Sequence, residues 1–137
     1  MSISTVLVGI MQQKGNIHLN IGTTLTSEEI SEAAKCDKND RYQLIRHAVD
    51  VRVIEGYKLW KNNYLAYDIA NHTYKYADMY VQEDVEKFVA YMEHQLDTVE
   101  KEINREDLRR IFLDIYANPV VTKELLEKEK VTGAILL

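Results

Sequence analysis

The feature that most constrains the fold is a long apolar stripe at helical spacing in residues 81–102. Its apolar residues recur every three or four positions, with acids and lysines between them. The stripe consists of Val85, Phe88, Val89, Met92, Leu96 and Val99, and continues to Ile103. Such spacing places the apolar side chains on one face of an α-helix. The sequence therefore predicts a helix that buries this face against other helices.

Few residues of the chain interrupt helices. Its 137 residues include only five glycines and one proline, and 46% are apolar. A chain of this length forms one domain by size and can bury a core. We therefore expect a single domain over residues 1–137 that is mainly α-helical, with about six helices.

Local signals give the bounds of the expected helices. Thr26 and Glu29 form a capping box that starts a short helix, and the Asn118-Pro119 pair is expected to stop another because proline disrupts a helix interior. Asp40, Asn63 and Asn104 are the expected caps of the helices that begin with them. The predicted helices are Ser4–Gln13, a short helix ending near Ala34, Asp40–Gly56, Asn63–His72, Val81–Glu102, Asn104–Asn118 and Thr122–Lys130.

Residues 16–22, NIHLNIG, predict an N-terminal edge strand. Ile17, Leu19 and Ile21 alternate with polar residues, which is typical of a half-buried strand. One strand cannot pair its own backbone N–H and C=O groups. We therefore expect it to pair with a second copy of the chain, or to belong to a sheet whose other strands are not in this sequence.

Charge and cysteine content narrow the partners and the location. The net charge is −5, and basic residues are scattered, so we expect no nucleic-acid partner. The single cysteine, Cys36, rules out an internal disulfide and fits a reducing compartment. No apolar run approaches the roughly 20 residues that span a bilayer, and the N-terminus lacks the basic region of a signal peptide. We expect a cytoplasmic protein, with a peripheral contact at the inner membrane face as an option.

The stretch YKLWKNNYLAYD, residues 57–68, is the candidate interaction or packing patch. It holds the only Trp of the chain, and the patch comprises Lys58, Trp60, Lys61, Tyr64 and Tyr67. Such rings and lysines could form a belt at a membrane interface, or the rings could pack at a joint between two helices. A basic belt should carry more than two lysines. We therefore expect Trp60 and Tyr64 to be packing anchors.

No catalytic constellation stands out in the sequence. A Gly-rich phosphate loop, a cysteine pair and a G-x-S-x-G turn are all missing. Asp68 and His72 lie four residues apart on a predicted helix and could share a metal, but two ligands do not make a site. We predict no catalytic residue, metal or cofactor. A small enzyme that uses Cys36 or the Asp68–His72 pair remains a weaker reading.

Three segments resemble glycerolipid acyltransferases. GIMQQKGNIHLNIGTTLTSEEI, residues 9–30, resembles the closing strand of these enzymes and the helix that follows it. YKLWKNNYLAYD and IFLDIYANPV, residues 57–68 and 111–120, resemble the C-terminal region of a bacterial, Bacteroidetes-type branch of 1-acyl-sn-glycerol-3-phosphate acyltransferases. The resemblance implies a fragment of an α/β acyltransferase fold, with residues 1–25 as the closing helix and strand, and residues 26–137 as a C-terminal helical appendage.

The catalytic half of that family has no counterpart in the chain. The family uses a His-x-x-x-x-Asp motif, in which the histidine is the general base, and none of the four histidines has an aspartate five positions on. The resemblance therefore implies the C-terminal portion of a glycerophospholipid acyltransferase that is inactive alone and partners the rest of the enzyme. The alternative is a free-standing helical protein-interaction module without enzymatic activity.

Overall fold

The computed structural model describes residues 3–11, 15–99 and 102–133. Within these ranges the chain forms six α-helices and one short 3-10 turn, with no β-strand, so the expected mainly helical fold is confirmed. The elements are α1 Ile3–Met11, α2 Ser27–Ala34, α3 Lys38–Glu55, α4 Lys61–Asn71, the 3-10 turn Ala77–Met79, α5 Gln82–Asp97 and α6 Arg105–Thr132.

Side-chain caps explain where two helices begin. At α2 the predicted capping box is present: the Thr26 hydroxyl accepts the Glu29 N–H at 3.2 Å, and the Glu29 carboxylate accepts the Thr26 N–H at 2.7 Å. At α6 the Asn104 side chain accepts the N–H groups of Glu106 and Asp107. Both caps satisfy N–H groups that have no partner inside the helix.

Two other predicted caps were wrong by three residues. Asp37, and not Asp40, caps α3, because its carboxylate accepts the N–H groups of Asn39 and Asp40 at 2.9 and 3.1 Å. In α4, Asn63 is the third helical residue, and its side-chain oxygen accepts the Trp60 N–H at 2.7 Å. The helix therefore begins at Lys61, immediately after Trp60.

The core forms where α4, α5 and α6 meet, with α4 packed most extensively on α6. Small side chains on α4 and α6 allow their backbones to approach closely. The Phe88 ring of α5 fills the space between these helices and lies edge-on to Tyr116, with ring centroids 5.1 Å apart. The core residues are Leu65, Ala66, Ala70, Phe88, Met92, Leu96, Leu113 and Ala117.

The last two helices differ from their predicted bounds. α5 ends at Asp97, five residues before the expected end. α6 continues through Pro119, so the predicted stop at Asn118-Pro119 and the separate helix Thr122–Lys130 were wrong. Proline removes the hydrogen bond to the carbonyl of Ile115, but Ile115 is exposed, so water can solvate this carbonyl. Burial of Val120 and Leu126 beyond the proline favours the continuous helix.

The predicted edge strand was also wrong. Residues 16–22 are irregular and have no strand partner in the described part of the chain, and the fragment of an α/β sheet is therefore not supported there. Ile17, Leu19 and Ile21 are 79–88% exposed instead of half-buried. The alternating pattern is present, but it places the polar side chains toward the protein.

Two contacts hold the segment before α2 against α3. The guanidinium of Arg52 donates to the Glu29 carboxylate at 2.8 and 3.0 Å and to the Thr23 hydroxyl at 3.2 Å. Gly56 allows a close approach, because a Cβ there would lie 1.9 Å from the Asn20 amide nitrogen. The three residues Thr23, Glu29 and Arg52, named here the Arg52 cluster, therefore join α2 and its preceding segment to the C-terminal half of α3.

Candidate functional site

A cleft of about 710 Å³ lies where α3 ends and residues 57–60 lead into α4. The segment before α2 forms one wall, the C-terminal half of α3 forms another, and Pro119 contributes from α6. The lining residues are His18, Asn20, Gly22, Thr23, Leu25, Val49, Arg52, Val53, Gly56, Tyr57, Lys58, Leu59, Trp60, Asn63 and Pro119.

The charge of this cleft differs from that of the whole protein. No aspartate or glutamate is among the described residues that line it, although the sequence contains 22 acids and 17 lysines and arginines. Arg52 is neutralised by Glu29 in an ion pair that is about 80% buried on both sides. Lys58 is exposed and makes no ion pair in the described part of the chain. The cleft therefore combines an apolar lining with an uncompensated cation at its rim.

Two residues of the predicted patch meet at this cleft. Trp60 is half-buried, and the Lys58 ammonium lies over its ring, 4.4 Å from the centroid. Such a cation–π contact stabilises the lysine only weakly when it is exposed. Lys61 points elsewhere, because it forms an ion pair with Asp84 of α5. Lys58 and Trp60 are thus the part of the patch that is available to a ligand.

The two tyrosines of the patch pack on a different surface. The rings of Tyr64 and Tyr67 lie 5.0 and 5.4 Å from the ring of Tyr76, in the loop between α4 and α5. Lys75 lies over the rings of Tyr67 and Tyr76, and also pairs with Glu124 of α6. Neither Tyr64 nor Tyr67 is among the described residues that line the cleft with Trp60.

Asp68 is a buried polar residue that the sequence reasoning did not select for its actual role. It is 2% exposed and accepts hydrogen bonds from the Thr73 hydroxyl, the Tyr76 N–H and the Tyr80 hydroxyl at 2.7, 2.9 and 2.7 Å. Burial and then the hydrogen bond to Asp68 raise the pKa of Tyr80 to about 12. Its position three residues after Leu65, on the apolar face of the helix, could have predicted that this acid is buried.

Other chemistry-bearing residues are dispersed. No group of three or more His, Cys, Asp or Glu side chains that could hold a metal occurs among the described residues. His72, which lies four residues after Asp68 and was not predicted to form a metal site with it, ends α4 in the left-handed conformation and is exposed. The Cys36 thiol donates to the Glu32 carbonyl at 3.6 Å.

A second cavity, of about 830 Å³, lies between the α4–α5 loop and α6. Its two arginines already have partners: Arg109 donates to the Glu93 carboxylate at 2.9 Å, and Arg110 donates to the Ala70 carbonyl at 3.0 Å. Glu106 also lines this cavity. The arginines are therefore less available to an anion than Lys58 is.

No helix in the ranges that the structure describes is long and apolar enough to cross a bilayer. A scan against protein-family models, a search of curated proteins and a search of solved structures gave no match to the chain.

Proposed function

We propose that the chain is a non-catalytic helical portion of a glycerophospholipid acyltransferase, and that it associates with the catalytic portion through an N-terminal apolar surface. The exposed apolar side chains of α1 and of the following segment make up this surface. They are Ile3, Leu7, Ile10, Met11, Ile17, Leu19 and Ile21. On this proposal the chain alone transfers no acyl group, whereas the whole enzyme acylates lysophosphatidic acid or a similar acceptor.

Exposure of this N-terminal apolar surface is the observation that carries the proposal. Its seven side chains are 51–88% exposed. Apolar side chains exposed to this extent are unfavourable in water, and their burial by a partner would contribute about 25 cal/mol per Å². Residues 16–22 also lack a strand partner among the described residues, so a strand of the partner could pair with their backbone.

The resemblance to acyltransferases supports the identity of the partner. Two of the resembling segments, residues 57–68 and 111–120, contact each other, because the Asn63 side-chain nitrogen donates to the Tyr116 carbonyl at 2.8 Å. They belong to α4 and α6, the most extensively packed pair of helices. These two segments thus pack together at the centre of the helical portion, and they contain no histidine that could serve as the general base of the family.

An acyl-transfer assay tests the absence of catalysis. The purified chain is incubated with acyl-CoA or acyl carrier protein and lysophosphatidic acid, and we expect no product. Turnover would overturn the proposal. The coding region upstream of Met1 gives an independent test, since we expect it to continue in frame through a His-x-x-x-x-Asp segment. A promoter and ribosome-binding site directly before Met1 would favour the free-standing interaction module instead.

The docking surface is tested with a matched pair of variants. Leu19 is 81% exposed in the N-terminal apolar surface, and Ile115 is 64% exposed on α6. We expect Leu19→Asp to weaken association with the co-expressed catalytic portion about tenfold, and Ile115→Asp to leave it unchanged. Equal effects of the two variants would overturn the surface assignment. If Leu19→Asp abolishes self-association but leaves association with the catalytic portion unchanged, the surface binds a second copy of the chain.

A further inference from the structure

We propose that the cleft beside Trp60 binds a small organic anion with a flat apolar body, of the aryl carboxylate class. This site is separate from the N-terminal apolar surface. His18 and Asn20 line the cleft, whereas Ile17, Leu19 and Ile21, which alternate with them, do not. The inference therefore does not depend on which protein covers the opposite side of the segment.

The residues that line the cleft indicate that its ligand is negatively charged. Its described lining residues include Arg52 and Lys58 but no acid. Arg52 is already paired with Glu29, so the free cation is Lys58, whose ammonium rests on the Trp60 ring. The Lys123 ammonium lies close by and donates to the Tyr57 carbonyl at 2.8 Å. An anionic head group would find favourable potential at this rim and would give Lys58 a stronger partner than a ring.

The aromatic and aliphatic residues of the cleft walls indicate that the ligand has a flat apolar body. Three ring-bearing residues, Tyr57, Trp60 and Pro119, line the same cleft as Val49 and Val53. A cavity of about 710 Å³ is in the range that small-molecule sites occupy. Flat aromatic bodies stack on tryptophan and tyrosine rings with a preference beyond simple burial. An aryl carboxylate therefore satisfies both the rim cation and the ring-bearing walls.

The indole N–H resonance of Trp60 reports directly on this site, because Trp60 is the only tryptophan of the chain. In a titration of the ¹⁵N-labelled chain with 2-naphthoate, we expect this resonance to shift and saturate, together with the amides of Val49 and Val53. The neutral alcohol 2-naphthylmethanol should bind about fivefold more weakly, since it cannot pair with the lysine.

Two lysine variants separate a specific head-group contact from general attraction. Lys58→Ala should weaken 2-naphthoate binding about fivefold. Lys61→Ala removes the same charge three positions away, from a lysine that pairs with Asp84 and does not line the cleft, and should leave binding unchanged. Absence of a saturable indole shift, or equal effects of the two variants, would overturn the site. Tighter binding of decanoate than of 2-naphthoate would contradict the inference that the ligand has a flat aromatic body.

Discussion

At the scale of single residues, Asp68 shows how one buried acid orders a whole loop. A carboxylate that leaves water loses much hydration energy, and three hydrogen-bond donors offset this cost. All three donors come from residues 73–80, which lie between α4 and α5. Because Tyr76 is one of these donors, the packing of Tyr64 and Tyr67 against its ring depends on Asp68.

Asp68→Asn should therefore destabilise the protein by about 2 kcal/mol. The amide keeps one acceptor oxygen, but its NH₂ group faces donors and leaves at least one of them without a partner. Urea unfolding followed by circular dichroism measures the change. Asp78→Asn is the matched control, because Asp78 is exposed in the 3-10 turn and should change stability by no more than about 0.5 kcal/mol. An unchanged midpoint for Asp68→Asn would contradict the role assigned to its carboxylate.

Two tyrosines should titrate late in alkali. Burial is the main cause that raises the pKa of Tyr80 and of Tyr116 to about 12. The hydrogen bond that Tyr80 donates to Asp68, and the hydrogen bond between Tyr116 and Tyr91, raise these pKa values further. The folded state holds these protons more tightly than the unfolded state, whose tyrosines have a pKa near 10. Their contribution to stability is complete below about pH 10 and is lost as the pH rises through 12.

Phenolate absorbance measures this directly. Tyr80 and Tyr116 should remain protonated until well above pH 10 while the protein stays folded. Tyr80→Phe should remove one of the groups that titrate late. A single transition for all nine tyrosines near pH 10 would show that neither phenol is held as described.

At the scale of elements, the position of α2 depends on the Arg52 cluster. The Thr26 backbone N–H and the Arg52 guanidinium hold the pKa of Glu29 below its ordinary value. Glu29 also completes the capping box of α2. A single carboxylate thus both begins this helix and attaches it to α3.

Removal of the Glu29 charge should loosen α2. In Glu29→Gln, we expect faster hydrogen exchange of the α2 amides at neutral pH, with little change in α4–α6. In the parent chain, protonation does the same: the contribution of the lowered pKa is present above about pH 4.5 and is lost as the pH falls through the folded value. Glu28→Gln is the control, since Glu28 is exposed in the same first turn. Equal exchange in the two variants would rule out the attachment.

Local signals in the sequence predicted helix type and several starts, whereas outcomes that depend on distant residues were missed. The Thr26 capping box and the Asn104 cap are formed by residues within four positions of each other, so the sequence alone predicts them. Pro119 failed as a stop because buried side chains beyond it favour the helix. Residues 16–22 failed as a strand because pairing needs a second strand. The cleft combines Asn20, Trp60 and Pro119, whose proximity no local pattern reports.

At the scale of the whole molecule, α6 joins α3, α4 and α5 into one unit. It contacts α3, α4 and α5, whereas α2 contacts α3 only. Its 28 residues span roughly 42 Å at helical rise. An ion pair at the surface also connects α6 to α3, because the Lys130 ammonium lies 2.6 Å from the Glu55 carboxylate. The core between α4 and α6 should therefore control global unfolding.

Leu65→Ala should lower the free energy of unfolding by about 3 kcal/mol. Leu65 is fully buried in the core, so truncation leaves a cavity among α4, α5 and α6. Leu125→Ala makes the same chemical change on α6, where the side chain is 54% exposed, and should cost no more than about 0.5 kcal/mol. Denaturant unfolding of both variants is the measurement. Similar unfolding midpoints for the two variants would contradict the assignment of the stabilising core to the region around Leu65.

The order of the helices along the chain has a consequence for folding during synthesis. The helices that α6 covers are all translated before it, so the apolar faces of α4 and α5 leave the ribosome without their main partner. Until residues 113–126 emerge, Leu65 and Met92 stay accessible to water, or to a chaperone that binds nascent apolar segments. Ribosome-arrested chains that end before α6 should therefore remain sensitive to protease, and the arrival of this last helix should make the nascent chain resistant in one step.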